Sequence, residues 1–184
     1  GFTSNVLGFG LGLAVSDING DGWSDIYISN DYNEQDYLYI NNKNGTFSER
    51  LENYIGHTSL FSMGSDIADI NNDALPDVLT LDMLPPGNER QKLLKGPENY
   101  DRTQLLLSYG YRPQHMRNML QLNTGAGSFS EIGQLAGVSN TDWSWSALLA
   151  DFDLDGYKDL VVTNGYVRDY TNMDFLKFTA PEAM

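Results

Sequence analysis

The 184-residue sequence predicts an all-β fold, made of about two complete four-stranded antiparallel units and part of a third, with a short helical insertion. Three observations support this prediction. A nine-residue acidic loop occurs three times, short apolar segments flank each loop, and a hairpin pattern follows two of the loops at the same spacing. Because these features recur together, the chemistry of the loops belongs to a repeated structural unit.

The acidic loops begin at Asp17, Asp69 and Asp151, and each has Asp or Asn at positions 1, 3, 5 and 9. With a backbone carbonyl near position 7, such a loop offers the hard oxygen ligands that Ca²⁺ takes. Without a cation, the clustered carboxylates would repel one another. The pattern therefore predicts calcium sites. The alternative is a set of metal-free turns, because Asp and Asn favour turns in any case.

The second loop departs from the pattern of the other two. It has Ala74 at position 6, where the others have glycine, and a left-handed backbone there costs alanine about 1 kcal/mol. An EF-hand is excluded for all three loops, because position 12 is Ile28, Thr80 or Val162 instead of glutamate. We therefore expect up to three Ca²⁺ ions, and the second loop is the one that could stay metal-free.

Each loop lies between two short segments rich in β-branched and aromatic residues, which predicts strands. The upstream segments are 12–15, 64–67 and 146–149, and the downstream segments are 26–28, 78–81 and 160–162. Their apolar residues are consecutive, whereas a strand with one wet face would alternate. We therefore expect both faces of these strands to be covered.

Residues 37–49 and 119–131 share one pattern at an offset of 82, with turn dipeptides that predict a hairpin in each. About four strands per unit, covered on both faces by neighbouring units, indicates β-propeller blades; a β-solenoid is the alternative. The units are repeat 1 at about 10–60, repeat 2 at about 61–142 and a partial repeat 3 at about 143–184. Since closed propellers have roughly four to eight blades, we expect the remaining blades to come from a parent chain or an oligomer.

An insertion at 83–117 interrupts the second unit. It opens as a loop at Pro85-Pro86-Gly87, and a capping box that starts at Asp101 predicts a helix at about 101–109. A second helix is predicted at 171–178, with Thr171 as its cap. The insertion holds most of the chain's basic residues: Arg90, Lys92, Lys95, Arg102, Arg112 and Arg117. We interpret it as a basic lobe that packs against the acidic units; the alternative is a site for an anionic ligand.

The sequence Asp-Ile-Asn-Gly-Asp-Gly-x-x-Asp between two strands resembles the FG-GAP/VCBS repeat, the unit of integrin-α-like β-propellers. The resemblance covers about 10–82 and 118–165, and the chain is also similar to large VCBS-repeat surface proteins of bacteria, as a fragment of such a protein. It implies Ca²⁺ ligands from the side chains at positions 1, 3, 5 and 9 and the carbonyl at position 7. The implied ligands are Asp17, Asn19, Asp21, Trp23 and Asp25; Asp69, Asn71, Asp73, Leu75 and Asp77; and Asp151, Asp153, Asp155, Tyr157 and Asp159.

The charge and the hydrophobicity of the sequence limit the classes of partner that the protein can bind. The net charge is −14, which makes nucleic acid an unsuitable partner because phosphate binding needs a basic patch. No apolar run is long enough to cross a bilayer, so we expect no membrane insertion. Low-affinity calcium modules are typical outside cells, so we expect an extracellular, cell-surface or periplasmic protein.

Two function classes follow. The first is a non-enzymatic, calcium-binding module for ligand binding or adhesion at the cell surface, with carbohydrate or another surface protein as its partner. The second is the scaffold of a polysaccharide-acting lyase or hydrolase. A lyase needs a base beside a neutralising cation, and Tyr111, Arg112 and His115 form the one cluster of this kind in the sequence.

Overall fold

The computed structural model describes residues 8–94, 100–165 and 172–179. Two four-stranded antiparallel sheets and a two-stranded antiparallel sheet follow one another along the chain. Both four-stranded sheets keep their strands in meander order, so neighbours in sequence are neighbours in the sheet once the insertion is set aside. The all-β prediction of propeller blades, two complete and one partial, is confirmed.

The first sheet forms from a continuous meander. Its strands are β1 (Gly8–Ser16), β2 (Asp25–Tyr32), β3 (Tyr37–Asn41) and β4 (Phe47–Glu49). A single helical turn, α1 (Leu51–Tyr54), and the short strand β5 (Thr58–Ser59) lead to the second sheet. Leu51 of α1 is fully buried, so this connection contributes to the core as well as to the topology.

The second sheet has the order β6-β7-β9-β10. Its strands are β6 (Ser65–Ala68), β7 (Asp77–Thr80), β9 (Met119–Asn123) and β10 (Phe129–Glu131). The hairpin β9–β10 stands in the second sheet where β3–β4 stands in the first, as the offset of 82 residues predicts.

The insertion lies between β7 and β9. It contains α2 (Asn88–Leu94), α3 (Tyr100–Ser108) and the short strand β8 (Gln114–His115), which pairs in parallel with β5. The helix predicted at 101–109 is therefore confirmed as α3. It is followed by Gly110, whose φ of +90° suits glycine at the end of a helix. The sequence analysis did not find α2.

The third sheet consists of β11 (Ser144–Ala150) and β12 (Asp159–Asn164). A last helix, α4 (Met173–Thr179), corresponds to the predicted segment 171–178. Its first turn is capped by Asn172, whose Oδ1 accepts from the N–H of Asp174 at 2.9 Å. The cap proposed from the sequence, Thr171, lies outside the described residues. No helix of the described parts is long and apolar enough to cross a membrane.

Consecutive side chains of β7 face opposite neighbours, which explains the unbroken apolar run. Val78 packs into a cluster with Tyr27 and Leu38 of the first sheet, whereas Leu79 packs into a second cluster with Leu149 and other residues of the third sheet. All four residues of β7 are buried. The prediction that both faces are covered is thus confirmed for the central unit.

Glycine allows the first strands of adjacent units to approach closely. A Cβ on Gly12 would lie 2.8 Å from the carbonyl oxygen of Met63, at the entrance to β6. A Cβ on Gly64 would lie 2.5 Å from the carbonyl oxygen of Trp145 in β11. Both distances are too short for a side chain, so these two glycines set the separation between successive units.

Candidate metal centre

Each acidic loop closes the hairpin between the first two strands of its unit. The residue before position 1 pairs with the residue at position 9 in all three units: Ser16 with Asp25, Ala68 with Asp77, and Ala150 with Asp159. The antiparallel ladder therefore fixes both ends of the loop. Eight residues, positions 1 to 8, are left to turn the chain, and their side chains are brought to the same end of the sheet.

The carboxylate at position 1 binds the backbone of the turn. In the first loop, Asp17 Oδ1 accepts from the N–H of Asp21 at 2.9 Å, and Asp17 Oδ2 accepts from the N–H of Gly22 at 2.7 Å. The same bonds measure 3.1 and 2.8 Å in the second loop and 3.1 and 2.9 Å in the third. The loop backbone thus folds back over its first side chain.

Positions 3 and 5 repeat this arrangement. Asn19 Oδ1 accepts from the N–H of Asp21 at 3.1 Å, and Asp21 Oδ1 accepts from the N–H of Trp23 at 3.0 Å. The corresponding distances are 3.2 and 2.8 Å in both other loops. Three side chains and the backbone at position 7 are therefore positioned in the same way three times.

The carboxylate at position 9 accepts hydrogen bonds both from its own loop and from the neighbouring hairpin. Asp25 is fully buried, its Oδ2 accepts from the N–H of Ile18 at 3.0 Å, and its Oδ1 accepts from the N–H of Asn41 at 2.8 Å. Asp77 makes the equivalent bonds at 3.0 and 2.8 Å with Ile70 and Asn123. Position 9 thus joins the loop to the outer hairpin of its own unit.

Burial raises the pKa of Asp25 and of Asp77, although the hydrogen bonds from the backbone lower it in part. Nearby carboxylates at other loop positions add to the increase. A divalent cation in the loop would act in the opposite direction, because positive charge favours the ionised form.

Asn41 and Asn123 complete this link, and the sequence analysis assigned them no role. Their side-chain amides donate to the carbonyl at position 8, Asn41 to Ser24 at 3.1 Å and Asn123 to Pro76 at 3.2 Å. Asn123 also reaches the carbonyl oxygen of Ile18 in the first unit at 3.2 Å. The available signal was the recurrence of asparagine at the offset of 82 residues.

The third loop shows the most direct convergence of oxygen atoms. One carboxylate oxygen each from Asp151, Asp153 and Asp159 lies within 4.8 Å of the other two. Oxygen atoms around a common Ca²⁺ lie 2.3–2.6 Å from the ion, so ligands on opposite sides are separated by about 5 Å. The donor set and the spacing therefore fit a hard divalent cation.

The first and second loops have Asn at position 3, and so one carboxylate fewer. In the first loop, Lys43 Nζ lies 3.3 Å from Asp21 Oδ2 and supplies part of the neutralising charge. In the second, Asn72 donates to the carbonyl oxygen of Gly156 at 2.9 Å, which joins the second loop to the third. The donor sets of these two loops also fit Ca²⁺, with a lower charge.

Comparison with models of protein families shows which family the chain belongs to. A model described as FG-GAP-like repeat matches residues 17–80 and 104–162, which together make up more than half of the sequence. The chain belongs to the FG-GAP-like repeat family. The first match begins at position 1 of the first loop, and the second match ends in β12, so all three acidic loops lie inside the FG-GAP-like matches.

A search of curated proteins finds no match to the chain. The insertion at 83–117 differs from the FG-GAP-like units in its charge, because it carries most of the basic residues of the chain.

The arginines of the insertion contact the FG-GAP-like units. Arg90 Nη2 donates to Asp142 Oδ1 at 3.1 Å, in the connection to the third unit. Arg117 Nη2 donates to Glu131 Oε2 of β10 at 2.8 Å. Arg102 donates to Asn33 in the turn after β2, and Arg112 donates to the carbonyl oxygen of Glu52. This geometry supports the interpretation of the insertion as a packing element.

Tyr111 and Arg112, two of the residues considered for a lyase, also contact the first unit. Tyr111 donates its hydroxyl to Glu34 Oε2 at 3.2 Å, and the N–H of Arg112 donates to Gln35 Oε1 at 3.0 Å. The ring of His115 lies 5.3 Å from the ring of His57 in an edge-on arrangement. Tyr111 and Arg112 therefore anchor the insertion to the turn between β2 and β3.

Proposed function

We propose that the chain is a calcium-binding β-propeller module for ligand binding or adhesion at the cell surface, with Ca²⁺ held in structural loops. The observation that carries the proposal is the threefold recurrence of one loop geometry at one end of the sheets, with converging carboxylate oxygens in the third loop. Each ion would neutralise three or four carboxylates and hold the first two strands of a blade together.

A structural role follows from the place of the loops in the ladder. Position 9 is linked to the outer hairpin through Asn41 or Asn123, so an ion bound at positions 1, 3 and 5 would also order that hairpin. Binding to the folded state alone stabilises it by about 2.7 kcal/mol per site when Ca²⁺ is a hundredfold above its dissociation constant. Extracellular calcium suits modules of low affinity, so an exported location is part of the proposal.

Thermal unfolding with and without calcium tests this proposal. We expect the midpoint to rise steadily with Ca²⁺ and to fall when EDTA removes the ion, because Ca²⁺ binds only the folded loops. Calorimetric titration of the calcium-free protein counts the sites. An unchanged midpoint together with no heat of binding would reject both the sites and their structural role.

Two substitutions in the first loop separate ion binding from loop architecture. Asp21→Asn removes charge from a ligand position near the surface, so it should lower stability in Ca²⁺ and change little in EDTA. Asp25→Asn places an amide N–H₂ against a buried backbone donor, which costs about 1–3 kcal/mol in EDTA as well. If both variants lost stability in Ca²⁺ alone, the structural role of position 9 would be wrong.

The proposed partner is a carbohydrate or another surface protein. Tyr100 and Tyr109 at the two ends of α3 support a carbohydrate, since they are 72% and 73% exposed, and exposed aromatic rings are suited to binding sugars. Binding of acidic polysaccharides to the immobilised protein, with Tyr109→Ala as the variant and exposed Leu135→Ala as the control, tests this role. Equal binding by both variants would remove α3 from the ligand site.

A further inference from the structure

One hydrogen bond joins the second acidic loop to the third. The side-chain amide of Asn72 donates to the carbonyl oxygen of Gly156 at 2.9 Å, although the two residues are 84 positions apart in the sequence. Asn72 is position 4 of the second loop, and Gly156 is position 6 of the third. Since the two loops belong to different sheets, this bond is a direct contact between two candidate calcium sites.

Both partners of the bond stand between predicted calcium ligands. Asn72 lies between the ligands at positions 3 and 5 of its loop. Gly156 lies between those at positions 5 and 7, and its N–H donates to Asp151 Oδ2, the ligand at position 1, at 2.9 Å. The bond therefore connects the ligand-bearing stretch of one loop with that of the other.

The geometry of the bond depends on the closed conformation of both loops. Asn72 has a φ of +60° and Gly156 has a φ of +93°, and the left-handed region is sparsely populated outside such fixed turns. Without a cation, the three carboxylates of the second loop repel one another, and so do the four of the third. An ion that neutralises one of these sets favours the closed conformation of that loop, and this positions one partner of the bond.

We infer that calcium binding to the second loop and to the third is positively coupled through Asn72; the inference rests on the proposed calcium-binding function. An ion in one loop holds its partner of the bond in place, so the other loop gains the hydrogen bond when it closes around its own ion. One hydrogen bond contributes enough for each ion to bind about twofold to tenfold more tightly when the other is present. By thermodynamic linkage, the factor is the same in both directions.

The charge of the ions acts against this coupling. An ion in one loop makes the surrounding potential less negative, which weakens the attraction for the second ion. Residues 71–74 and 152–159 are exposed, so this long-range effect is screened by salt, whereas the hydrogen bond is a short-range contact. The two contributions can be separated, because only the hydrogen bond depends on Asn72.

The first loop serves as an internal control. It cannot make the corresponding bond, because position 4 is Gly20, which has no side chain. Asn123 of the second unit does reach the carbonyl oxygen of Ile18 in the first loop, at 3.2 Å. Ile18, however, is 2% exposed and its N–H is bound by Asp25, so its position is set by the core and not by an ion. We therefore expect the first loop to bind calcium independently of the other two.

Calorimetric titration of the calcium-free full chain with Ca²⁺, at physiological ionic strength, measures the coupling. Every protein in the series carries Asp21→Ala, which silences the first loop. Adding Asp155→Ala leaves only the second site, and adding Asp73→Ala leaves only the third. The coupling factor is the binding constant for filling both loops divided by the product of the two single-site constants.

The same series is then measured with Asn72→Gly, which removes the hydrogen bond. Glycine suits the φ of +60° at this position and is the residue that the first loop has there, so the variant keeps the turn. We expect the coupling factor to be about twofold to tenfold larger with Asn72 than in the Asn72→Gly series. In the matched control, Asp155→Ala silences the third loop and the first loop stays intact, and the coupling between the first and second loops should be the same with and without Asn72→Gly.

Equal coupling factors in the two series, with calcium bound at both loops, would overturn the inference and leave the proposed calcium-binding function standing. A change of the same size in the coupling between the first and second loops would also overturn it, because Asn72 would then act on the second loop itself and not on its contact with the third. No heat of binding in any series would reject the inference and the calcium-binding function together.

Discussion

At the scale of single residues, the acidic loops depend on two left-handed positions. Positions 4 and 6 have positive φ in every loop, and in two of these six places the residue has a side chain that does not favour this conformation: Ala74 with φ of +67° and Leu154 with φ of +63°. The conformation directs the N–H of Ala74 to Asp69 Oδ2 at 2.8 Å. The hydrogen bond to position 1 is therefore made against a local cost of about 1 kcal/mol.

Replacing Ala74 by glycine should stabilise the protein. Glycine adopts positive φ without steric cost, so we expect Ala74→Gly to raise the free energy of unfolding by up to about 1 kcal/mol, measured by chemical denaturation. The matched control is Ala68→Gly in β6, where the backbone is extended and glycine should destabilise by about 0.5–1 kcal/mol. Equal losses in the two variants would contradict the strain at position 6.

The loop residues also show what sequence reasoning reaches at this scale. The left-handed backbone at Ala74 was predicted from the glycines at position 6 of the other loops, and the structure confirms it. The hydrogen bond from the N–H of Asn41 to the Asp25 carboxylate was not predicted. Asn41 lies 16 residues further along the chain and reaches the loop only through the register of the hairpin. Local patterns give local conformation, whereas this contact depends on strand pairing.

At the scale of elements, the predictions held where a pattern was repeated. The hairpin 119–131 was found from its likeness to 37–49, and α3 from its capping box and apolar run. Helix α2 was missed because Pro85-Pro86-Gly87 was interpreted as the start of a longer loop, although Glu89 in the first turn and Lys92 in the last suit a helix dipole. The short parallel pair β5–β8 has two residues per strand, too few for any periodic signal.

The insertion offers a prediction at this scale. Arg117 Nη2 contacts Glu131 Oε2 at 2.8 Å, and the side chains are 19% and 6% exposed. Arg117→Glu would place two carboxylates together in a largely buried site, so we expect a loss of about 3 kcal/mol or more in the free energy of unfolding. Lys92→Glu on the exposed side of α2 is the charge-matched control and should change stability by less than about 0.5 kcal/mol.

The same pair of variants tests the alternative role of the insertion. If the basic lobe is a packing element, Arg117→Glu lowers stability and leaves the binding of an acidic polysaccharide, measured below the unfolding temperature, as it is in the Lys92→Glu variant. A fully stable Arg117→Glu protein that loses polysaccharide binding would instead favour the anionic-ligand interpretation.

At the scale of the whole molecule, the fold is stabilised by apolar contacts between the faces of successive sheets. The sequence predicted this from consecutive apolar residues, and Val78 and Leu79 show how it is achieved. The connection between the first and second units could not be predicted in the same way. It depends on two buried carboxylates that lie outside the repeated loop pattern: Asp36, which accepts from Tyr27 nine residues earlier, and Asp82, which accepts from Ser59 twenty-three residues earlier.

Asp82 binds the segment between the first two units, and Asp36 binds β2 of the first unit. Asp36 accepts from the hydroxyl of Tyr27 at 2.6 Å and from the N–H of Asn30 at 2.9 Å. Asp82 accepts from the hydroxyl of Ser59 and from the N–H of Phe61 at 3.1 Å. Both are fully buried, and burial raises the pKa of each to about 6. The folded protein therefore binds protons at these sites more tightly than the unfolded chain does.

The sign of the pH dependence follows from this difference. For a carboxyl group with a pKa of 3.8 when free and about 6 when folded, the stabilising contribution is complete below about pH 4 and is lost as the pH rises to about 6. Asp36→Asn removes this titration. As the pH rises from 4 to 6, we therefore expect the wild type to lose stability and the Asp36→Asn variant to lose less. Urea denaturation of the calcium-free proteins at each pH measures this difference in unfolding free energy.

The matched control for this prediction is Asp101→Asn, at an exposed position in the first turn of α3. Its difference from the wild type should change little over the same range. A pH-independent difference for Asp36→Asn would mean that the two hydrogen bonds from Tyr27 and Asn30 keep the carboxylate ionised despite burial. In that case the contact between the units would be held by a fixed negative charge, and its strength would not respond to mild acid.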